Sequence, residues 1–127
     1  MIITPVYAAL ATLLFVFLSF RVIGMRRGEK ISLGDGSNKE MGKRIRVHGN
    51  FAEYAPLALL LLLMAEMQDA STWSLHLIGV TILTGRILHA YAISQTPQVM
   101  NLRIAGMVLT FVSLISGALA NLAVVLF

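Results

Sequence analysis

The sequence predicts an all-α polytopic membrane protein, an up-down bundle of four spanning helices in a single domain covering residues 1–127. Three observations carry this prediction. Hydrophobic residues make up 57% of the chain and charged residues only 13%, a balance more apolar than a soluble domain of this length requires. The apolar residues gather into four runs, 5–20, 47–67, 73–94 and 104–127, each near the ~20 residues that a spanning helix needs. The connections between them are short enough to make sequential helices antiparallel neighbours.

The first run has no basic residue ahead of it; Arg21, Arg26 and Arg27 follow it. That order differs from the basic-then-apolar order of a cleaved secretory signal and is expected of a spanning helix with its N-terminus outside. The first loop, "RRGEKISLGDGSNKEMGKR", is the one extended polar segment, and Gly34, Asp35, Gly36, Ser37 and Asn38 form its turn cluster. The second loop, "QDAST", offers Ser71 or Thr72 as the cap of the third helix. Pro97 ends that helix or sits just beyond it. In the fourth, Ser113, Ser116, Gly117 and Ala120 supply the small surfaces that let helices approach closely in lipid.

Charge sets the orientation. Eight of the ten basic residues lie between Arg21 and Arg46, while the second loop has Glu66 and Asp69 and no Lys or Arg. By the positive-inside rule the first and third loops are cytoplasmic and both termini are periplasmic. The same rule accounts for the net charge of +4 without nucleic acid. The chain has no cysteine, so it has no disulfide framework, no thiolate metal site and no catalytic thiol of its own; no metal is expected.

The second run enters the membrane with polar residues attached. At about 100° per residue, Arg46, Asn50 and Glu53 fall within roughly 60° of one another, with Tyr54 beside them. A charge at mid-membrane costs about 2.5 to 3.5 kcal/mol on insertion scales, and each following Leu returns about 0.3 to 0.6, so the leucine run can carry the helix in. Glu53 still needs a partner, because its side chain is too short to snorkel back to water. Two readings stand: a structural ion pair holding helices in register, or a ligand-binding stripe. Arg26 and Arg27, then Arg86, His89 and Tyr91, then Arg103 lie toward the same end of the other helices. Each alone reads as an interfacial anchor; their convergence at one depth suggests a shared site. Cations around one carboxylate and one amide suit a small polyanion that carries an amine. Glutathione is one such molecule among several anionic ligands, and a nearby arginine would favour its thiolate.

The pattern "R-x-R-x-H-G-N-F-A-E-Y-x-P-L" from Arg44 to Leu57 resembles the second-helix signature of the MAPEG family, the membrane-associated proteins of eicosanoid and glutathione metabolism. "RVIGMRR" at Arg21 to Arg27, "GRILHAY", and "NLR" at Asn101 to Arg103 are similar to the family's first-helix end, third-helix exit and fourth-helix entry. The resemblance covers essentially the whole chain and is most specific in helix two. It implies a homotrimer in a bacterial inner membrane, with glutathione bound between neighbouring protomers at the cytoplasmic end. Arg46, Asn50, Glu53 and Tyr54 would bind glutathione, with Arg26 and His48 as weaker candidates. Arg103 would stabilise the thiolate as the principal catalytic group, with Arg27 assisting. One departure concerns helix three: a branch of the family places tyrosines four apart, whereas His89 and Tyr91 are two apart, about 200° around the helix, so they face different ways.

Three functions follow as expectations. The first is a glutathione-dependent transferase or peroxidase acting on lipophilic electrophiles or lipid hydroperoxides. The alternative is a non-catalytic family protein that binds lipid or glutathione. A small transporter or channel is the third, with little support from four unbroken helices.

Overall fold

The computed structural model describes residues 2–126, so Met1 and the expected end of the fourth run at Phe127 lie outside the described residues. It consists of α1 Ile3–Glu29, α2 Lys39–Met67, α3 Thr72–Ser94 and α4 Met100–Leu126, with no strand among the described residues. All four helices are long and apolar enough to cross a membrane.

The first two helices continue well past their apolar runs, so most of the first polar segment is helical. Caps decide where it stops. Lys30 adopts a left-handed conformation (φ 54°) and returns its N–H to the carbonyl of Arg26, ending α1. Asn38 opens α2: its Oδ1 accepts from the N–H groups of Glu40 at 3.0 Å and Met41 at 3.1 Å. Glu40 sits in that first turn, where a negative charge meets the positive end of the helix dipole. Between the caps the chain turns at Gly36, whose φ of +59° favours glycine and where an added Cβ would crowd the Ile31 side chain at 2.9 Å.

At the other end, Ser71 caps α3 through the N–H of Ser74 at 3.3 Å. Glu66, near the end of α2, reaches across to the start of α1 and accepts from the backbone N–H groups of Ile2, Ile3 and Thr4. A carboxylate there satisfies donors that the helix itself leaves orphaned.

The closest packing joins α3 and α4. A Cβ built on Gly106 would stand 2.7 Å from the backbone nitrogen of His89 and 2.8 Å from the carbonyl of Gly85, so these backbones touch with nothing between them. Gly117 receives the side chain of Leu61 from α2, where an added Cβ would stand 3.1 Å from Leu61 Cβ, and Ser113 beside it is buried. Tyr7 of α1 lies flat over Gly79 of α3, and its hydroxyl meets Nδ1 of His76 at 2.9 Å. Among the described residues, α1 and α4 make no contact, so α2 and α3 form the centre of the bundle. Its inner surface is built from Leu18, Val47, Phe51 and Ile93 at one level and from Tyr7, Leu62, Leu75 and Ile78 at another. Leu13 and Phe17 on α1, and Ile115 and Leu119 on α4, point outward. That is the surface expected of a bundle whose solvent is hydrocarbon.

Candidate functional site

Helix α2 carries the polar stripe, and packing divides it into an outer and an inner part. Arg46 and Glu53 form the outer part. Arg46 Nη1 donates to Glu53 Oε1 at 3.4 Å, and the two side chains are 60% and 51% exposed. Two cavities open beside them. One, of about 230 Å³, is lined by Lys43, Arg46, Ile93, Gln98 and Arg103. The other, of about 530 Å³, is lined by Asp35, Ile45, Arg46, Gly49 and Glu53. Arg46 belongs to both, so it links the carboxylate of Glu53 to the guanidinium of Arg103. Arg103 enters from the first turn of α4 and donates to Gln98 Oε1 at 3.0 Å.

Asn50 and Tyr54 form the inner part. Asn50 is only 5% exposed because its side of α2 faces α3 and α4. Arg86 of α3 meets it there, donating from Nη1 to Oδ1 at 2.6 Å and to the backbone oxygen at 3.2 Å. The remaining guanidinium donors reach Thr110 Oγ1, from Nε at 3.0 Å and Nη2 at 2.6 Å, and Met107 Sδ at 3.4 Å. The Tyr54 ring lies 5.3 Å from the guanidinium carbon and meets Phe111 edge-on at 5.9 Å. A cation over an aromatic face adds attraction that a desolvated site strengthens.

Arg86 therefore corrects the expectation that it would act as an interfacial anchor. It is 2% exposed and ties three helices together. Its depth is the signal that identifies it: Arg86 precedes the end of its helix at Ser94 by two turns, too far for snorkelling to be the simplest account. His89, one turn on, is buried against Gly106. Tyr91 is exposed, so the two ring residues do face opposite ways.

The other sequence-selected residues lie elsewhere. His48 turns toward α1, where Nε2 sits 3.0 Å from Ser19 Oγ and the ring stacks on Phe15 at 4.7 Å. Arg26 donates to the carbonyl of Gly34 at 3.0 Å and holds the first loop against the end of α1. Arg27 lines an open cavity of about 380 Å³ with Lys30, Ile31 and Ser32, apart from the two that Arg46 borders. Within this chain, then, Arg46, Glu53 and Arg103 come together; Arg26, Arg27 and His48 do not join them.

Chemically, the outer site presents three cations, Lys43, Arg46 and Arg103, and two carboxylates, Glu53 and Asp35, the second already accepting from the N–H of Ser37. Such a set binds an anion that also carries an ammonium group.

Residues 4–123 match the model of the MAPEG family. The chain is also 38% identical over 120 residues to inner membrane protein YecN of Escherichia coli (strain K12), an alignment covering 94% of this chain and 90% of that protein. YecN of Escherichia coli O6:H1 matches to the same extent.

Proposed function

Because the chain belongs to the MAPEG family, we propose that it is a glutathione-dependent transferase or peroxidase of the bacterial inner membrane, acting on lipophilic electrophiles or lipid hydroperoxides. The observation that carries this reading is the position of Arg46 in the walls of both cavities, beside Glu53 in one and Arg103 in the other. Glu53 receives the ammonium of glutathione. Arg46 and Asn50 take its carboxylates, with Tyr54 beside them; Arg26 and His48, which lie away from this cluster within the chain, contribute from a neighbouring protomer.

Arg103 holds the thiol sulfur in its charged form, since a nearby cation favours the thiolate. The thiolate then forms a C–S bond at an electrophilic carbon as a leaving group departs or a conjugated electron pair takes up a proton. With a lipid hydroperoxide it attacks the terminal oxygen, the O–O bond breaks to release the lipid alcohol, and the glutathione sulfenic acid formed is reduced by a second glutathione to the disulfide and water. Little else is required beyond positioning the two reactants. The membrane supplies the lipophilic substrate, and the cytoplasmic placement of the first and third loops gives the site access to cytosolic glutathione.

The assembly that serves this chemistry is a homotrimer. An ion pair as exposed as Arg46–Glu53 is unfavourable against lipid, and a neighbouring protomer would cover it. Gly49, in the cavity wall with Arg46 and Glu53 and with nothing within 4 Å of a Cβ there, leaves room for close approach. Across such a boundary Arg27 of one protomer reaches the thiolate held by Arg103 of another.

The test is calorimetric titration of the detergent-solubilised protein with glutathione, beside an analogue lacking the thiol. Saturable binding of both is expected, tighter for glutathione. No heat from either removes the glutathione reading. Equal affinity, with no contribution from the sulfur, favours the non-catalytic binding protein.

A further inference from the structure

Asn50 is joined to Arg86 in a way that fixes what position 50 can offer a ligand. A guanidinium has only donors, whereas a primary amide has one oxygen that accepts and one nitrogen that donates. With Nη1 at 2.6 Å, the amide oxygen must face Arg86; the opposite orientation would set donors against donors where both side chains are buried. Exchange between the two orientations is blocked by the rest of the network. Thr110 donates its own proton to the carbonyl of Gly106 at 2.7 Å, so its oxygen can only accept from Arg86. Nη1 places its two donors on the side chain and backbone of Asn50 itself. The amide nitrogen of Asn50 has no acceptor among the described residues, and it is not one of the atoms sealed away without a partner.

We propose that Arg86 is a positioning residue that sets the polarity of the site: it holds the Asn50 amide with its oxygen inward, so that position 50 only donates, and donates to one carboxylate of glutathione. This rests on the glutathione reading above. It divides the work along α2. Glu53, which only accepts, meets the ammonium; Asn50, which only donates, meets a carboxylate; Arg86 touches neither and determines the second assignment.

The experiment titrates the full, detergent-solubilised chain with glutathione and with its two monoamides, in which either the glycyl or the glutamyl carboxylate is replaced by an amide. Asn50→Asp keeps an oxygen on Arg86 and nearly the same shape, so the melting temperature is expected to hold, but it turns the outward donor into an acceptor. Its affinity for glutathione should fall at least about tenfold, the loss of a charged hydrogen bond. The loss should be smaller for one monoamide than for the other, because only the amide facing position 50 can donate to the new oxygen. A general electrostatic penalty would affect both monoamides alike. Arg86→Met should weaken glutathione binding by releasing the amide, and Arg86→Lys should recover part of it.

Asn50→Asp protein that melts like wild type and ranks the three ligands as wild type does would overturn the proposal while leaving the glutathione site intact. If wild type itself takes up no glutathione, the functional reading fails separately. A ligand-free thermal cycle of Asn50→Leu and Arg86→Met then decides the lock. Losses smaller together than their sum support it, and additive losses overturn it.

Discussion

Glu53 is the residue whose role separates a ligand site from a structural ion pair. It contacts Arg46 at 3.4 Å, yet both side chains are more than half exposed on this chain, so packing within the chain does not hold the pair in place. If its task is to receive an ammonium, Glu53→Gln should weaken glutathione binding by about 1.5 kcal/mol or more while the fold survives. Unchanged affinity in a properly assembled protein would return Glu53 to a structural role. The proximity of Arg46 and Glu53 was legible in the sequence because seven residues are close to two helical turns. The inward turn of Asn50 was not. It differs from Arg46 by about 40° around the helix, and the wheel gives that angle without saying which side α3 and α4 will occupy. Arg86 escaped for a related reason. Its acceptors, Asn50 and Thr110, come from two other helices, and no spacing within α3 announces them.

At the scale of the elements, the four helices were readable from hydropathy, whereas their ends were set by local chemistry that hydropathy does not measure. Asn38 and the left-handed Lys30 shorten the first loop to a turn between two caps. The small residues of α4 pointed to close packing, and Ser113 and Gly117 provide it. The tightest approach of backbone to backbone is nevertheless at Gly106 and Gly85, isolated glycines whose facing positions depend on the register of two helices. Gly106→Ala sets a methyl against two backbone groups that cannot move independently. It should destabilise the protein by about 1–3 kcal/mol, as overpacking does, and lower the melting temperature in detergent. Gly24→Ala is the matched control. Nothing lies within 4 Å of that position in α1, so the substitution should leave stability unchanged or raise it slightly. Equal melting of the two variants would contradict the α3–α4 contact described here.

Across the whole molecule, four antiparallel helices place Lys43, Arg46, Glu53 and Arg103 at the end that bears the first and third loops. The proposed chemistry needs that end in the cytoplasm. The absence of cysteine makes this simple to test. A cysteine introduced by Ser37→Cys should resist a membrane-impermeant maleimide in intact cells, and one introduced by Ser71→Cys should react. The reverse labelling would overturn the orientation. The central claim, that the site activates a thiol, is tested most directly by ultraviolet difference absorbance of the thiolate when glutathione is added at neutral pH. Wild type should develop the signal, because a thiol beside Arg103 ionises below the ~8.5 of a free cysteine thiol. Arg103→Ala should lose most of it, along with most conjugation of a model electrophile, yet keep much of the binding through Arg46, Asn50 and Glu53. Arg103→Lys should restore only part, since it keeps the charge without the planar fork. Wild-type protein that binds glutathione but gives neither thiolate absorbance nor turnover would contradict the account and leave a family fold used for binding alone.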